Sequence, residues 1–298
     1  MSISNIDTDI LSRLEAMRAQ EDAASPCYNY FHRNATADDV DEEGRKSLTM
    51  WLHKMQASLK LNSETVWIAA SFLDRYASSG KGRSQEALED KHKFQLATIA
   101  SFYIAVKIYE PLDLSVSTLA KLCQGFYEEC DILSTEEDIL FALDWRVTTP
   151  TPMEFVRIFI QLLPERIADS STTVDSLLEA SQKFVDQTVT DFYFAFFKPS
   201  VVGASCLACS LTGADMLSSS ERNAFWLQLA RITDSVEVME TQNKLLGGKV
   251  LSSKKLAAVA KTAEPSDEGK ILREKPAAAT KDNNNNHNNN NNNNTNNN

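Results

Sequence analysis

The sequence predicts an all-α protein: two tandem five-helix units followed by a disordered, Asn-rich C-terminal tail. Three observations carry this. Gly (9) and Pro (8) are scarce in 298 residues, and 43% of the chain is hydrophobic. Apolar side chains recur at spacings of three and four, and period-two alternation is sustained nowhere. The last 16 residues hold 14 Asn, one His and one Thr, with no apolar side chain to offset the entropy of ordering.

The elements follow in order. Residues 1–42 read as an N-terminal extension, in which Ile3, Ile6, Ile10, Leu11 and Leu14 support one or two amphipathic turns. The acidic run Asp38–Glu43 suits the approach to a helix N-terminus. A first helix is expected from Glu43 to Leu59, with Arg45, Leu48, Trp51, Leu52 and Met55 on one face. Ser63 is positioned to cap a second, carrying Val66, Ala69, Ala70, Leu73 and Asp74. A polar insert, Ser78 to Glu89, follows. The third helix, Lys93 to Tyr109, is apolar nearly all round and should be central. A fourth is expected at Ser117 to Glu128. A fifth should start at Ser134, where Ser134 and Glu137 have capping-box spacing.

Thr149-Pro150-Thr151-Pro152 is the clearest boundary. Thr151 caps, Pro152 takes the first helical position and Glu154 completes a capping box. Five more helices are expected, around Phe155–Leu162, Val174–Phe194, Pro199–Leu211, a stretch opened by Ser218 to Glu221, and Val236–Leu246. The units are assigned to residues 43–148 and 149–247, and the low-complexity tail to 248–298.

Charge excludes some functions. Residues 252–298 hold 7 Lys+Arg and 5 Asp+Glu, which leaves 23 against 36, or −13, on the rest. An acidic body repels nucleic-acid phosphates and anionic lipid. No apolar run approaches the ~18 residues a bilayer span needs. The first 25 residues lack the features of a secretory signal. Five Cys, mostly in apolar segments, read as reduced thiols of an intracellular protein. Cys206 and Cys209 form a C-x-x-C inside an apolar helix and read as buried structure. The four His are scattered without metal-ligand spacing, and no phosphate loop or nucleophile elbow occurs. No metal, no cofactor and no enzymatic activity are expected.

The informative anomalies are charges on apolar faces. Arg45 lies three residues before Leu48. Asp74 follows Leu73. Lys107 lies eleven residues, three helical turns, after Leu96. Glu136 precedes Leu140 by four. Any one of them reads alone as a dipole-complementing or snorkelling group. Four within residues 45–136 need partners, either each other or another protein.

These residues carry a resemblance. Gly44-Arg45-Lys46-Ser47-Leu48-Thr49-Met50-Trp51-Leu52, Phe72-Leu73-Asp74-Arg75-Tyr76, Ile104-Ala105-Val106-Lys107-Ile108-Tyr109-Glu110, Glu136 and Leu143-Asp144-Trp145 are similar to the cyclin box. Its five characteristic positions are matched by Arg45, Asp74, Leu96, Lys107 and Glu136. The stretch from Thr149 to Leu246 resembles the second, C-terminal cyclin fold. The resemblance implies that Arg45 and Asp74 form a buried ion pair locking the first two helices, with Leu96 a structural member of the box. It implies that Lys107 and Glu136 face a cyclin-dependent protein kinase. The kinase would be activated by packing that holds its catalytic residues in the active arrangement. Kinase substrates would dock on Leu48 and Trp51. That patch is weakened here, because Gly44 and Ser47 stand where large apolar residues are usual. Lys81, Arg83, Lys91 and Lys93 form a modest basic cluster beside the insert. The implied location is the nucleus, the cytoplasm or both. A cyclin-fold transcription factor or scaffold, binding protein or nucleic acid without kinase activation, is the alternative reading.

Overall fold

The computed structural model describes residues 8–24, 26–31, 39–214 and 216–247. Ile3, Ile6 and the tail assigned to 248–298 lie outside the described residues. Among the described residues there are helices and no strands.

The first helix is one the sequence shows only in outline. α1, Thr8–Ala23, is a full 16 residues. Ile10, Leu14 and Met17 stand on one face and pack into the core of the second unit, with Leu14 buried. The stripe is too narrow to stand out in sequence, and its partner lies over 130 residues away.

α2, Glu42–Leu59, starts where the acidic run suggests: the Asp41 carboxylate accepts from the Gly44 amide at 2.7 Å. α3, Glu64–Ser79, is capped differently from expectation. Ser63 has helical dihedrals and makes no side-chain cap bond. Asn62 Oδ1 accepts from the Glu64 amide instead, at 3.0 Å. The polar insert contains a short helix, α4, Ser84–Leu88, because Ala87 and Leu88 are buried. Gly82 before it has φ +57°, and a Cβ there would collide with the Asp138 carboxylate. α5, Lys91–Tyr109, is capped by Asp90 and buries its middle. α3 is equally central, since its buried residues run from Glu64 to Ala77.

Two expected boundaries move. α6, Val116–Leu122, stops early because Gln124 and Gly125 take left-handed conformations. α7, Glu129–Ala142, begins five residues before Ser134. Its first turn is closed by Asp131, which accepts from the Glu128 amide at 3.1 Å. Ile132 is fully buried, so the apolar stripe begins ahead of the Ser134–Glu137 pattern and leaves that pattern inside the helix.

The second unit opens as its sequence indicates. α8, Pro152–Ile160, has Thr151 as cap, Pro152 in the first turn and Glu154 returning to the Thr151 amide at 2.7 Å. Short α9, Glu165–Ala168, precedes α10, Ser171–Thr190. A 3-10 helix, Phe192–Phe196, leads to α11, Pro199–Ala214. α12, Ser219–Ile232, keeps the Ser218–Glu221 capping box, and α13, Ser235–Leu245, is capped by Asp234. α11 is the buried centre. It can press against α8 because a Cβ at Gly203 would come within 2.5 Å of the Pro152 carbonyl oxygen.

Each unit has its own apolar core, and Trp67 packs against both. Val189 and Phe192, from the second unit, belong to the first core. Across the same boundary, Glu64 of α3 accepts from the Thr151 hydroxyl and pairs with Arg157.

Candidate functional site

Two charge pairs organise the first unit, and they differ in exposure. The first is buried. Arg45 is 2% exposed and Asp74 4%. Arg45 Nε donates to Asp74 Oδ1 at 2.8 Å and Nη2 to Oδ2 at 2.6 Å, a two-point grip. Its remaining Nη1 donates to the Val189 carbonyl at 3.0 Å, and the guanidinium sits 5.2 Å from the Phe192 ring centroid. Asp74 also accepts from the Tyr30 hydroxyl at 2.8 Å. Burial alone would lower the Arg45 pKa. The Asp74 charge and hydrogen bonds outweigh it and hold the guanidinium above its ordinary value. The pair joins α2 to α3 and also reaches the second unit.

The second pair faces outward. Lys107 Nζ donates to Glu136 Oε1 at 2.7 Å, with the Lys side chain 47% exposed and the Glu side chain 10%. The ammonium also lies 4.8 Å from the centroid of the Tyr103 ring. The geometry comes from two helices running side by side in the same direction. Near the start of α5, Tyr127, just ahead of α7, donates to the His92 carbonyl at 3.0 Å. At its end, Tyr109 donates to the Val147 carbonyl at 2.8 Å. The C-terminal ends of α5 and α7 therefore lie on the same side, and Lys107, in the last turn of α5, reaches Glu136 in the middle of α7. With one N–H given to Glu136, Lys107 keeps two further donors on a half-exposed side chain.

The same two helices and the turn after α7 also carry exposed apolar side chains. Ile108 is 42% exposed, Leu133 44%, Phe141 66% and Trp145 68%. Leu133 and Leu140 flank Glu136 on its own helix face at helical spacing. Asp144 and Trp145 both have left-handed backbones, φ +51° and +58°, which is uncommon for residues other than glycine. The Trp145 amide still donates to the Leu140 carbonyl at 2.9 Å, and Asp144 is tied to Lys81 at 2.9 Å.

The other residues singled out in sequence are dispersed. Leu48 and Trp51 are part-buried against the first core, with Trp51 edge-on to Phe102 at 6.3 Å. Met50 beside them is exposed. Leu96 is part-buried at the edge of the same core. The basic cluster is largely neutralised by local acids: Lys81 pairs with Asp144, Arg83 with Asp138 and Lys93 with Glu86. Cys206 and Cys209 are buried in α11, and burial pushes both thiols up, Cys209 to about 12. Among the described residues no group of three or more His, Cys, Asp or Glu is arranged to hold a metal ion. No helix among them is long and apolar enough to cross a membrane.

Sequence reasoning missed Tyr30, Val189 and Phe192 around Arg45, because each comes from a distant segment. It also missed Leu133 and Phe141 as surface residues. Their helical spacing was readable, but the starting point of α7 was not.

These features define a class: a tandem pair of helical units with an ion-paired interior and a surface that carries both an exposed salt bridge and exposed apolar side chains. The family model described as the cyclin N-terminal domain matches residues 12–148, and that for the cyclin C-terminal domain matches 150–273. The chain belongs to the cyclin family. It is 28% identical over 184 residues to cyclin-A3-3 of Arabidopsis thaliana, covering 61% of this chain and 52% of that protein. It is 24% identical over 212 residues to G1/S-specific cyclin-D1 of Mus musculus, covering 70% of this chain and 68% of the relative. The chain thus spans about half the length of the Arabidopsis relative. Among solved structures, a viral cyclin from herpesvirus saimiri superposes with a TM-score of 0.62 at 20% identity. The superposition covers 78% of this chain and 96% of the viral one, a likeness of fold.

Proposed function

We propose that this chain is a regulatory, non-enzymatic cyclin that binds and activates a cyclin-dependent serine/threonine kinase in cell-cycle control, acting in the nucleus, the cytoplasm or both. The observation that carries the proposal is the Lys107–Glu136 bridge, with a half-exposed ammonium, on two helices that together with the turn after α7 also expose Ile108, Leu133, Phe141 and Trp145. Large exposed apolar side chains mark a protein interface, and a charged group on the same surface gives it orientation and specificity. Lys107 would donate charge-assisted bonds to kinase carbonyls while Glu136 orients it. Affinity would come from the exposed apolar side chains, with Trp145 as an anchor. A kinase whose active arrangement binds this face better than its inactive one is shifted toward activity by the difference in affinity. The cell-cycle assignment draws on the printed name of the mouse relative, a G1/S-specific cyclin. Leu48, Trp51 and the exposed Met50 would serve substrate docking, with a smaller apolar area than a full patch.

The test is co-purification against a kinase panel with the wild type and Lys107→Glu, followed by kinase assay of whatever is recovered. The variant places a carboxylate beside Glu136 on a solvent-facing site, so helicity should be retained. Recovery of an active kinase by the wild type and its loss in the variant is the expected result. Equal recovery by both proteins would refute the role of Lys107. DNA binding that weakens steeply with salt, with no kinase recovered, would favour the transcription-factor reading.

A further inference from the structure

A cavity of about 310 Å³ lies where the two helical units meet the end of α1. Its walls are largely apolar and include Trp67 and Ala70 of α3, Val189 of α10, and Phe194 and Phe197 around the 3-10 helix. Most of the charge at its edge is already satisfied. Arg45 and Asp74 hold each other. Glu21 accepts from the Ser200 amide at 3.0 Å and its hydroxyl at 2.7 Å. Asp22 pairs with Lys198 at 2.6 Å.

Arg75 is the exception. It lines the cavity and is 4% exposed. Nη2 donates to the Arg146 carbonyl at 2.8 Å and Nη1 makes a long bond to Thr149 Oγ1 at 3.4 Å. Nε has no partner. No carboxylate among the described residues pairs with this guanidinium. Burial pulls its pKa down to about 10. A buried cation held only by neutral acceptors is costly, and a free buried donor adds to the cost.

We infer that this cavity binds a small molecule carrying one anionic group on a compact apolar body, with the anion set beside the Arg75 guanidinium as its countercharge and the body filling the space between Trp67, Val189 and Phe197. The anion would supply the missing countercharge in a low-dielectric setting, where a charge-assisted bond is strong. The apolar walls would supply the burial that an inorganic anion cannot exploit. A carboxylate and a phosphate monoester offer the same acceptor, so both are tried. The site lies apart from the Lys107–Glu136 bridge and does not depend on the kinase proposal.

The experiment is isothermal titration of the full chain with phenylacetate, phenyl phosphate and inorganic phosphate, repeated on Arg75→Gln and Ser71→Phe. Ser71 is part-exposed on the cavity wall, so the larger ring enters the cavity with little disturbance to the core. Saturable one-to-one binding of at least one aromatic anion is expected, about ten-fold or more tighter than inorganic phosphate. Binding should weaken about ten-fold or more in Arg75→Gln. It should also weaken in Ser71→Phe, with the circular dichroism spectrum unchanged. The preferred aromatic anion identifies the ligand's acidic group. If Arg75→Gln does not fold, Ser71→Phe decides alone. Absence of saturable binding of both aromatic anions at millimolar concentration overturns the inference. So does equal affinity for inorganic phosphate, or unchanged affinity in Ser71→Phe.

Discussion

Arg45 and Val189, 144 positions apart, are joined by a hydrogen bond of 3.0 Å from a guanidinium already committed to Asp74. One side chain therefore ties α2 to α3 and the first helical unit to the second. Replacing Arg45 by Met removes both ties and leaves the Asp74 carboxylate buried with, among the described residues, only Tyr30 to donate to it. Loss of one partner of a buried pair costs about 3–5 kcal/mol. Urea unfolding should show that loss. Retention of wild-type stability would mean that the two-point grip does not hold the core.

Trp145 separates binding from folding. Its ring is 68% exposed and its φ is +58°, a conformation glycine adopts without strain. Trp145→Gly should leave the melting temperature unchanged or raised, while lowering recovery of a kinase partner. A large fall in melting temperature would show that the indole is structural.

Glu221 should respond to acid in a defined direction. Hydrogen bonds from Arg166 and Ser218, then the Arg166 charge, hold its carboxyl down at about 2 against an ordinary 4.5. The folded state therefore binds this proton later than the unfolded chain. The stability it contributes is fully present above pH 4.5 and is lost as pH falls through about 2. A side-chain NMR titration should place its midpoint near the lower value, and Arg166→Gln should move it back toward the ordinary one. A wild-type midpoint in the usual carboxylate range would contradict the contact.

The thiols should sort by burial. Cys206 and Cys209 are buried and their thiols are pushed up, whereas Cys130 is exposed. Brief alkylation of the native protein at neutral pH, read by peptide mass spectrometry, should label Cys130 and spare both α11 cysteines. Equal labelling of all three would mean that α11 opens readily.

Gly203 sets the spacing of the second unit. A Cβ would meet the Pro152 carbonyl oxygen at 2.5 Å, and backbone cannot move aside as a flexible side chain can. Gly203→Ala should cost about 1–3 kcal/mol by overpacking. Thermal unfolding reads it directly, and a neutral outcome would show that α8 and α11 can separate.

Local chemistry made much of this legible. Thr151, Pro152 and Glu154 are a cap, a first-turn proline and a returning carboxylate within four positions, so α8 could be placed from sequence. The same reasoning failed at Ser134, because serine and glutamate at capping-box spacing also occur inside a helix. Only the burial of Ile132 against the first core showed that α7 begins at Glu129. Ser63 failed for a related reason: two adjacent polar residues competed for one cap, and backbone geometry selected Asn62.

By itself the sequence determined the helical class, the two-unit division at Thr149–Pro152 and the residues whose charges break apolar faces, because caps and helical spacing act over a few positions. The tertiary structure decided how those charges are satisfied. Arg45 found Asp74 and Val189, Lys107 found Glu136 on a neighbouring helix, and Arg75, next to Asp74 in sequence, found no carboxylate among the described residues. Docking of α1 on the second unit was decided there too. The physical reason is the same in each case: a charge or apolar stripe announces that it needs a partner, but the partner is chosen by packing between segments far apart in the chain.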